Sequence, residues 1–189
     1  MIIPVSGPHG SGKTTLMQKL AEDSEEIIVY PEDQLNFPRI EDDYYKRVES
    51  KLLRYYFEEL DQRKYHQPSK VLLVSRCPYD SIAYSKAYQE LGWISSGQLD
   101  KIRSIVDLIF SNLPEKVIVV NPSLEMLQRQ LEIRWKNGKR KFKEEDFSYL
   151  AAVSNEFRLL GKDKSSFLYL TDEPLEEKIL KAKLWLEIA

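Results

Sequence analysis

The stretch Gly7-Pro8-His9-Gly10-Ser11-Gly12-Lys13-Thr14 constrains this chain more than any other, because it meets every fixed position of G-x-x-x-x-G-K-[ST]. It stands between a β-branched run, Ile2 to Ser6, and a segment with helical spacing, Thr14 to Ala21. A phosphate needs many donors in a small concave space, and a glycine-rich turn lets successive backbone N–H groups converge with no Cβ in the way. The helix that follows adds its positive end. On this reading Gly7, Pro8, His9, Gly10, Ser11, Gly12, Lys13, Thr14 and Thr15 hold a nucleoside triphosphate. Lys13 contacts the β- and γ-phosphates, and the Thr14 hydroxyl coordinates the bridging magnesium. His9 and Ser11 fill variable positions and are expected to serve through their backbone alone.

The rest of the chain alternates short apolar runs with helical periodicity, the pattern of a parallel sheet covered on both faces. Five strands are predicted, at Ile2 to Ser6, Glu26 to Tyr30, Lys70 to Ser75, Lys116 to Asn121 and Phe167 to Leu170. Helices are predicted at Tyr44 to Tyr65, with an apolar stripe of Val48, Leu52, Leu53, Tyr56 and Leu60, at Tyr79 to Leu91 before Gly92, and at Gln98 to Asn112. Another follows Asn121-Pro122-Ser123, with Leu124, Leu127 and Leu131 buried, and a last one begins near Pro174. No repeat, linker or low-complexity tract divides residues 1–189, so a single domain is expected.

Charge narrows the classes of partner. The 28 basic and 30 acidic residues leave a formal net charge of -2, with no global field to hold the chain on nucleic acid or an anionic membrane. The apolar runs fall well short of the roughly 20 residues a membrane helix needs, and Met1 leads straight into a strand pattern and not a secretion signal. A lone cysteine, Cys77, fits a reducing compartment, so a cytoplasmic location is expected. Oligomeric state stays open, a homodimer included.

A regulatory GTPase needs N-K-x-D and D-x-x-G stretches, and neither occurs. A motor-type ATPase needs an apolar strand ending in an acid, whereas Val71 to Val74 runs into Ser75-Arg76 and Val117 to Val120 into Asn121. Small-molecule kinases remain. Val29-Tyr30-Pro31-Glu32-Asp33 resembles the strand-end acidic position of deoxynucleoside kinases and of nicotinamide riboside kinase-like ATP-binding proteins. Ser75-Arg76-Cys77-Pro78-Tyr79-Asp80-Ser81-Ile82-Ala83-Tyr84 is similar to the D-R-x-x-x-[SD]-x-x-A-Y signature of thymidylate kinases and that riboside kinase-like group, with Ser75 in place of the acid. Arg129 to Phe142, carrying Arg134 and the basic run Lys136 to Lys141 around Gly138, resembles a nucleotide kinase lid, and the plain alternative is a solvated basic loop.

The resemblance to the P-loop nucleoside and nucleotide kinase superfamily implies a three-layer α/β domain, strand order 2-3-1-4-5 and a helical lid at about residues 134–146. It implies ATP- and magnesium-dependent phosphoryl transfer to a nucleoside or nucleoside monophosphate. Lys13, Glu32, Arg76 and Arg134 are then the catalytic candidates, Arg129 joins the nucleotide-binding set, and Thr14 holds the metal. Glu32 would take the acceptor's proton because ligands of open α/β sheets sit beyond the strand ends, with Asp33, Glu41, Asp42 and Asp43 as neighbouring rivals. A polynucleotide-end kinase and a nucleotide-dependent regulator without catalysis remain as alternatives.

Overall fold

Short strands whose alternate side chains are apolar on both sides bury both faces, and here they do so between two helical layers. The computed structural model describes residues 1–31, 40, 42–110, 113–138, 142–163 and 165–188. Strands β1 (Ile2–Ser6), β2 (Ile27–Val29), β3 (Val71–Ser75), β4 (Ile118–Val120) and β5 (Leu168–Leu170) form one parallel sheet in the order β2-β3-β1-β4-β5. This is the expected order, and β1 stands between the two directions of growth, where an α/β sheet opens a crevice at its carboxyl edge.

Helices α1 (Lys13–Asp23) and α7 (Leu175–Leu186) cover one face of the sheet, sealing Ile3, Val5, Leu73, Ile118 and Val120. On the opposite side lie α2 (Tyr44–Gln62), α3 (Pro78–Glu90), α4 (Ser96–Ile109), α5 (Leu124–Lys136) and α6 (Phe147–Asp163). Their core takes in Val117 and Val119, the alternate residues of the same run, together with Tyr84, Tyr88, Leu127 and Phe157. Leu72 and Val74 meet Tyr30 in a smaller cluster. Among the described residues no helix is long and apolar enough to cross a membrane.

Several expectations need correction. The second, third, fourth and fifth strands are shorter than their apolar runs, the fourth being Ile118–Val120 and not Lys116 to Asn121, because Asn121 turns its side chain to Ser154 and Tyr169. Helix α4 begins at Ser96, since Ser95 and Gln98 form a reciprocal capping box two residues ahead of the expected start. The stripe expected on α2 is partly misplaced. Val48 and Leu52 are buried, but with Tyr55 and Glu58, while Leu53, Tyr56 and Leu60 lie exposed. With Leu52-Leu53 and Tyr55-Tyr56-Phe57 in sequence, α2 offers two apolar faces, and packing against α3 and α4 selects one of them. Helix α6 has no counterpart in the sequence reading, although it packs along α3. In the expected lid, only Arg134 to Lys136 are helical among the described residues, and a turn at 142–145 leads into α6.

Candidate active site

The crevice begins where β1 runs into the glycine loop. Gly7 has φ 139°, and a Cβ there would lie 2.1 Å from the Val120 carbonyl oxygen, so the loop passes too close to β4 for any side chain. Gly10 has φ 74°, and a Cβ would strike the Leu131 side chain at 2.5 Å, which is how α5 supports the loop from behind. Gly12 caps α1 with no side-chain hydrogen bond, leaving the N–H groups of the first turn directed at the crevice.

Lys13 is buried, and its Nζ folds over the loop, donating to the carbonyls of Gly7 at 2.9 Å and Pro8 at 2.5 Å and to Ser11 Oγ at 3.1 Å. Ser11 thus contributes its side chain, which the sequence reading did not assign. Thr14 and Thr15 are exposed at the mouth of the loop.

Arg76 approaches the same loop from the end of β3. Its backbone adopts φ 74°, a conformation that costs a non-glycine residue on the order of 1 kcal/mol and persists only where the surroundings over-determine it. The guanidinium supplies that determination. It donates to Asp80 Oδ1 at 3.1 Å, to the Tyr84 hydroxyl at 3.2 Å and to the Gly7 carbonyl at 3.4 Å. Its other nitrogen lies 3.1 Å from His9 Nδ1. A guanidinium only donates, so Nδ1 accepts and the neutral ring carries its proton on Nε2. His9 therefore works through its side chain, contrary to expectation, and joins the loop to Arg76.

Asp80 anchors this arrangement from α3. It is fully buried, and its Oδ2 accepts from Ser6 Oγ at 2.6 Å and from the Cys77 backbone N–H at 3.0 Å. The carboxylate facing Arg76 thus comes from Asp80, four residues after it, while position 75 carries a serine. Burial pushes the Cys77 thiol up, so it stays protonated and inert.

A further cation enters from α2. Lys51 Nζ sits 4.7 Å from the centroid of the Tyr84 ring, on which the Arg76 guanidinium also bears at 5.3 Å. The stem of Lys51 keeps some exposure, but protein atoms crowd its ammonium. Burial, then the charges of Arg76 and Arg47, hold it well below the usual lysine range. With the folded-state value depressed, protonated Lys51 destabilises the fold fully below that value, and the penalty disappears as pH rises towards 10.5. Lys51→Met should therefore raise the melting temperature at neutral pH by about 2–4 °C, the shift that roughly 1 kcal/mol produces in a chain of this size. Thermal scans between pH 7 and pH 10 check this: the gap between variant and wild type should narrow with rising pH, and a constant gap sinks the idea. A lysine on the buried side of α2, between Val48 and Tyr55, was the sequence signal for this residue, and it was missed.

The remaining candidates divide. Arg134 pairs with the fully buried Glu144, whose other oxygen accepts from Trp135 Nε1 at 3.2 Å, and burial, then the charge of Arg76, lowers its pKa. Arg129 is not brought to the site: it is exposed and bound to Glu125 at 2.6 Å. The reason is helical geometry. Arg134 shares a face with Leu127 and Leu131, at steps of seven and three residues, whereas Arg129 lies two residues from each and points away. Glu32, Asp33 and Glu41 lie outside the described residues. The far wall is aromatic: Trp93 stacks between Tyr44 at 4.6 Å and Tyr149 at 5.5 Å, and Arg47 lies 3.7 Å over Phe142, which meets both tyrosines edge-on.

This geometry can be set beside known proteins. Three solved structures of deoxyadenosine kinase from M. mycoides superpose on the chain, each over 99% of both chains. The one with the products dCMP and a flexible dCDP bound gives a TM-score of 0.76 at 14% identity. The one with bound dATP gives 0.75 at 16%, and the one with bound dCTP 0.69 at 15%. At these identities the likeness concerns the fold. No curated protein matches the chain by sequence. A sequence profile described as deoxynucleoside kinase matches residues 3–176, nearly the whole chain. The chain belongs to the deoxynucleoside kinase family, phosphotransferases that phosphorylate deoxynucleosides with ATP.

Proposed function

We propose that this chain moves the γ-phosphoryl group of ATP onto the primary hydroxyl of a deoxynucleoside, with the residues around Gly7 as the transfer centre. The observation that carries this reading is the meeting of Lys13 and Arg76 at one carbonyl, that of Gly7, with His9 bridging to Arg76. The Lys13 ammonium now satisfied by loop carbonyls would turn to the β- and γ-oxygens, and the Arg76 fork would steady the equatorial oxygens as charge spreads over them. Magnesium, when bound, would neutralise phosphate charge, with the Thr14 hydroxyl and the phosphate oxygens as its ligands. That fits a loop in which Gly7 and Gly10 leave no room for a Cβ and Thr14 is exposed at its mouth, since magnesium usually takes few protein ligands beside phosphate oxygens. Glu32 would accept the hydroxyl's proton. Arg134 and the segment at 134–146 would close over the nucleotide and exclude water.

A second acceptor is favoured by a specific observation. Among the described residues, and beside the Arg54–Glu58 pair, Arg47, Lys51 and Arg76 gather three cations around Asp80, which Ser6, Cys77 and Arg76 already engage. A deoxynucleoside monophosphate would offset that charge. Transfer from labelled ATP should be measured into deoxynucleosides, their monophosphates and short oligonucleotides, with Glu32→Gln alongside. Transfer to a small acceptor, reduced about a hundredfold or more in the variant, is expected for loss of a general base. Binding of ATP with no transfer to any acceptor would leave the regulator as the better account.

A further inference from the structure

His9 fills a position that the loop motif leaves variable, and a phosphate there needs only its backbone. Its side chain is nonetheless engaged. The half-buried imidazole leans on the Tyr84 ring, with centroids 5.3 Å apart at 45°, and brings Nδ1 to 3.1 Å from one terminal nitrogen of Arg76. The other terminal nitrogen already donates to Asp80, Tyr84 and the Gly7 carbonyl. A planar fork held at one nitrogen can still swing about that contact, whereas one held at both is fixed in its plane. Because His9 belongs to the phosphate loop, its contact sets the guanidinium relative to the phosphates and not only relative to the sheet. The left-handed backbone at Arg76 makes the fork depend on such contacts.

We propose that His9 is a positioning residue for phosphoryl transfer: its neutral imidazole holds the Arg76 fork in place against the loop, and protonating the imidazole releases it. The inference rests on the transfer reading given above. Nδ1 accepts through a lone pair that a proton would occupy. The surroundings add to the effect. Lys51 shares the Tyr84 ring with Arg76, Lys13 lies over the same loop at the Gly7 and Pro8 carbonyls, and Arg134 on α5 feels the charge of Arg76. Asp80 is taken up by Arg76, Ser6 and Cys77. Tyr84 and Tyr55 stay neutral, since burial raises both hydroxyls. An imidazolium would therefore form among cations, and the fork would turn away from it. Transfer is full where His9 is neutral and is lost as pH falls through its titration.

Rates of transfer from ATP to a deoxynucleoside, measured from about pH 5 to 9 for wild type, His9→Asn and His9→Phe, test this. Asparagine places Oδ1 near the site of Nδ1 and does not titrate. Phenylalanine keeps a ring against Tyr84 and offers no acceptor. At pH 8 His9→Phe should lose about 10² in kcat, the cost of a misplaced charged group, with KM for ATP changed less than about threefold. His9→Asn should stay within about tenfold of wild type there, because the acceptor is kept. Wild-type kcat/KM should fall at or below about pH 6.5, the ordinary imidazole value, and His9→Asn should lack that limb. The chain holds 2 histidines, so a long-range ¹H–¹⁵N spectrum assigns His9 by its loss in His9→Asn, and it should show the Nε2–H tautomer at pH 8. Transfer by His9→Phe within about threefold of wild type, an unchanged acid limb in His9→Asn, or the Nδ1–H tautomer overturns the inference while leaving the transfer reading intact. A wild-type chain that transfers to no acceptor overturns the transfer reading and this inference with it.

Discussion

Lys13→Ala should lower kcat/KM for phosphoryl transfer by about 10³, the loss typical of removing one preorganised charged donor from a transition state. The expectation rests on where the ammonium is held. It is buried against two carbonyls and the Ser11 hydroxyl of its own loop, so it stands within reach of any phosphate the loop takes up. Most of the loss should appear in kcat, since charge on the γ-phosphoryl oxygens is redistributed only as transfer proceeds. Lys13→Arg should rescue little. The slot over the loop accepts a compact ammonium, and a planar fork cannot keep the same three contacts. The fold should survive, because the Gly7 carbonyl keeps Arg76 as a donor and the net worth of the lost hydrogen bonds is about 1 kcal/mol each. Steady-state kinetics beside thermal unfolding separates the two effects. A variant within tenfold of wild type would mean that ATP's phosphates are not held at this loop.

Lys13 was legible without coordinates because a cradle for phosphate is made almost entirely from local chain. Its glycines, its lysine and the flanking strand and helix are contiguous, and the physics that demands them acts over eight residues. Sheet order was legible for a different reason: the phosphate loop ties the strand before it to a superfamily of known topology. The aromatic wall was not. Trp93, Phe142 and Tyr149 come from three separate places in the chain, one of them a helix that the sequence reading missed, and no periodicity links them. Helix α6 escaped notice because its apolar residues follow a basic run read as a lid.

The two faces of α2 show the same limit. Apolar spacing reports that a helix has something to bury, and with Val48, Leu52, Leu53, Tyr55, Tyr56, Phe57 and Leu60 all apolar it cannot report which side α3 and α4 take. Three-dimensional packing decides, and it leaves the other side exposed. Arg129 and Arg134 differ in the same way: both are basic residues on one amphipathic helix, and only the angular position relative to Leu127 and Leu131 separates the one that reaches the crevice from the one that does not.

Asp80→Ala should destabilise the chain by about 3–5 kcal/mol, the usual consequence of leaving a buried charge without its partner. Four groups depend on this one carboxylate. Ser6 Oγ, the Cys77 thiol and the Cys77 N–H, whose bond is the capping box of α3, would lose an acceptor, and Arg76 would lose its counter-charge. The last loss is the heaviest, because Arg76 stands beside Lys51 over the Tyr84 ring, and removing Asp80 leaves two cations facing each other in a crowded crevice. The left-handed backbone at Arg76 would then have less to hold it, so Arg76 should leave the Gly7 carbonyl and transfer should fall with stability. Asp80→Asn separates the contributions. It keeps an oxygen for Ser6 and Cys77 while removing the charge, and it should recover part of the stability but little of the activity. Urea unfolding checks this through the midpoint, with the slope unchanged so that the shift reports stability alone. A loss below about 1 kcal/mol for Asp80→Ala would place it among ordinary surface ion pairs and would remove the structural basis assigned here to Arg76.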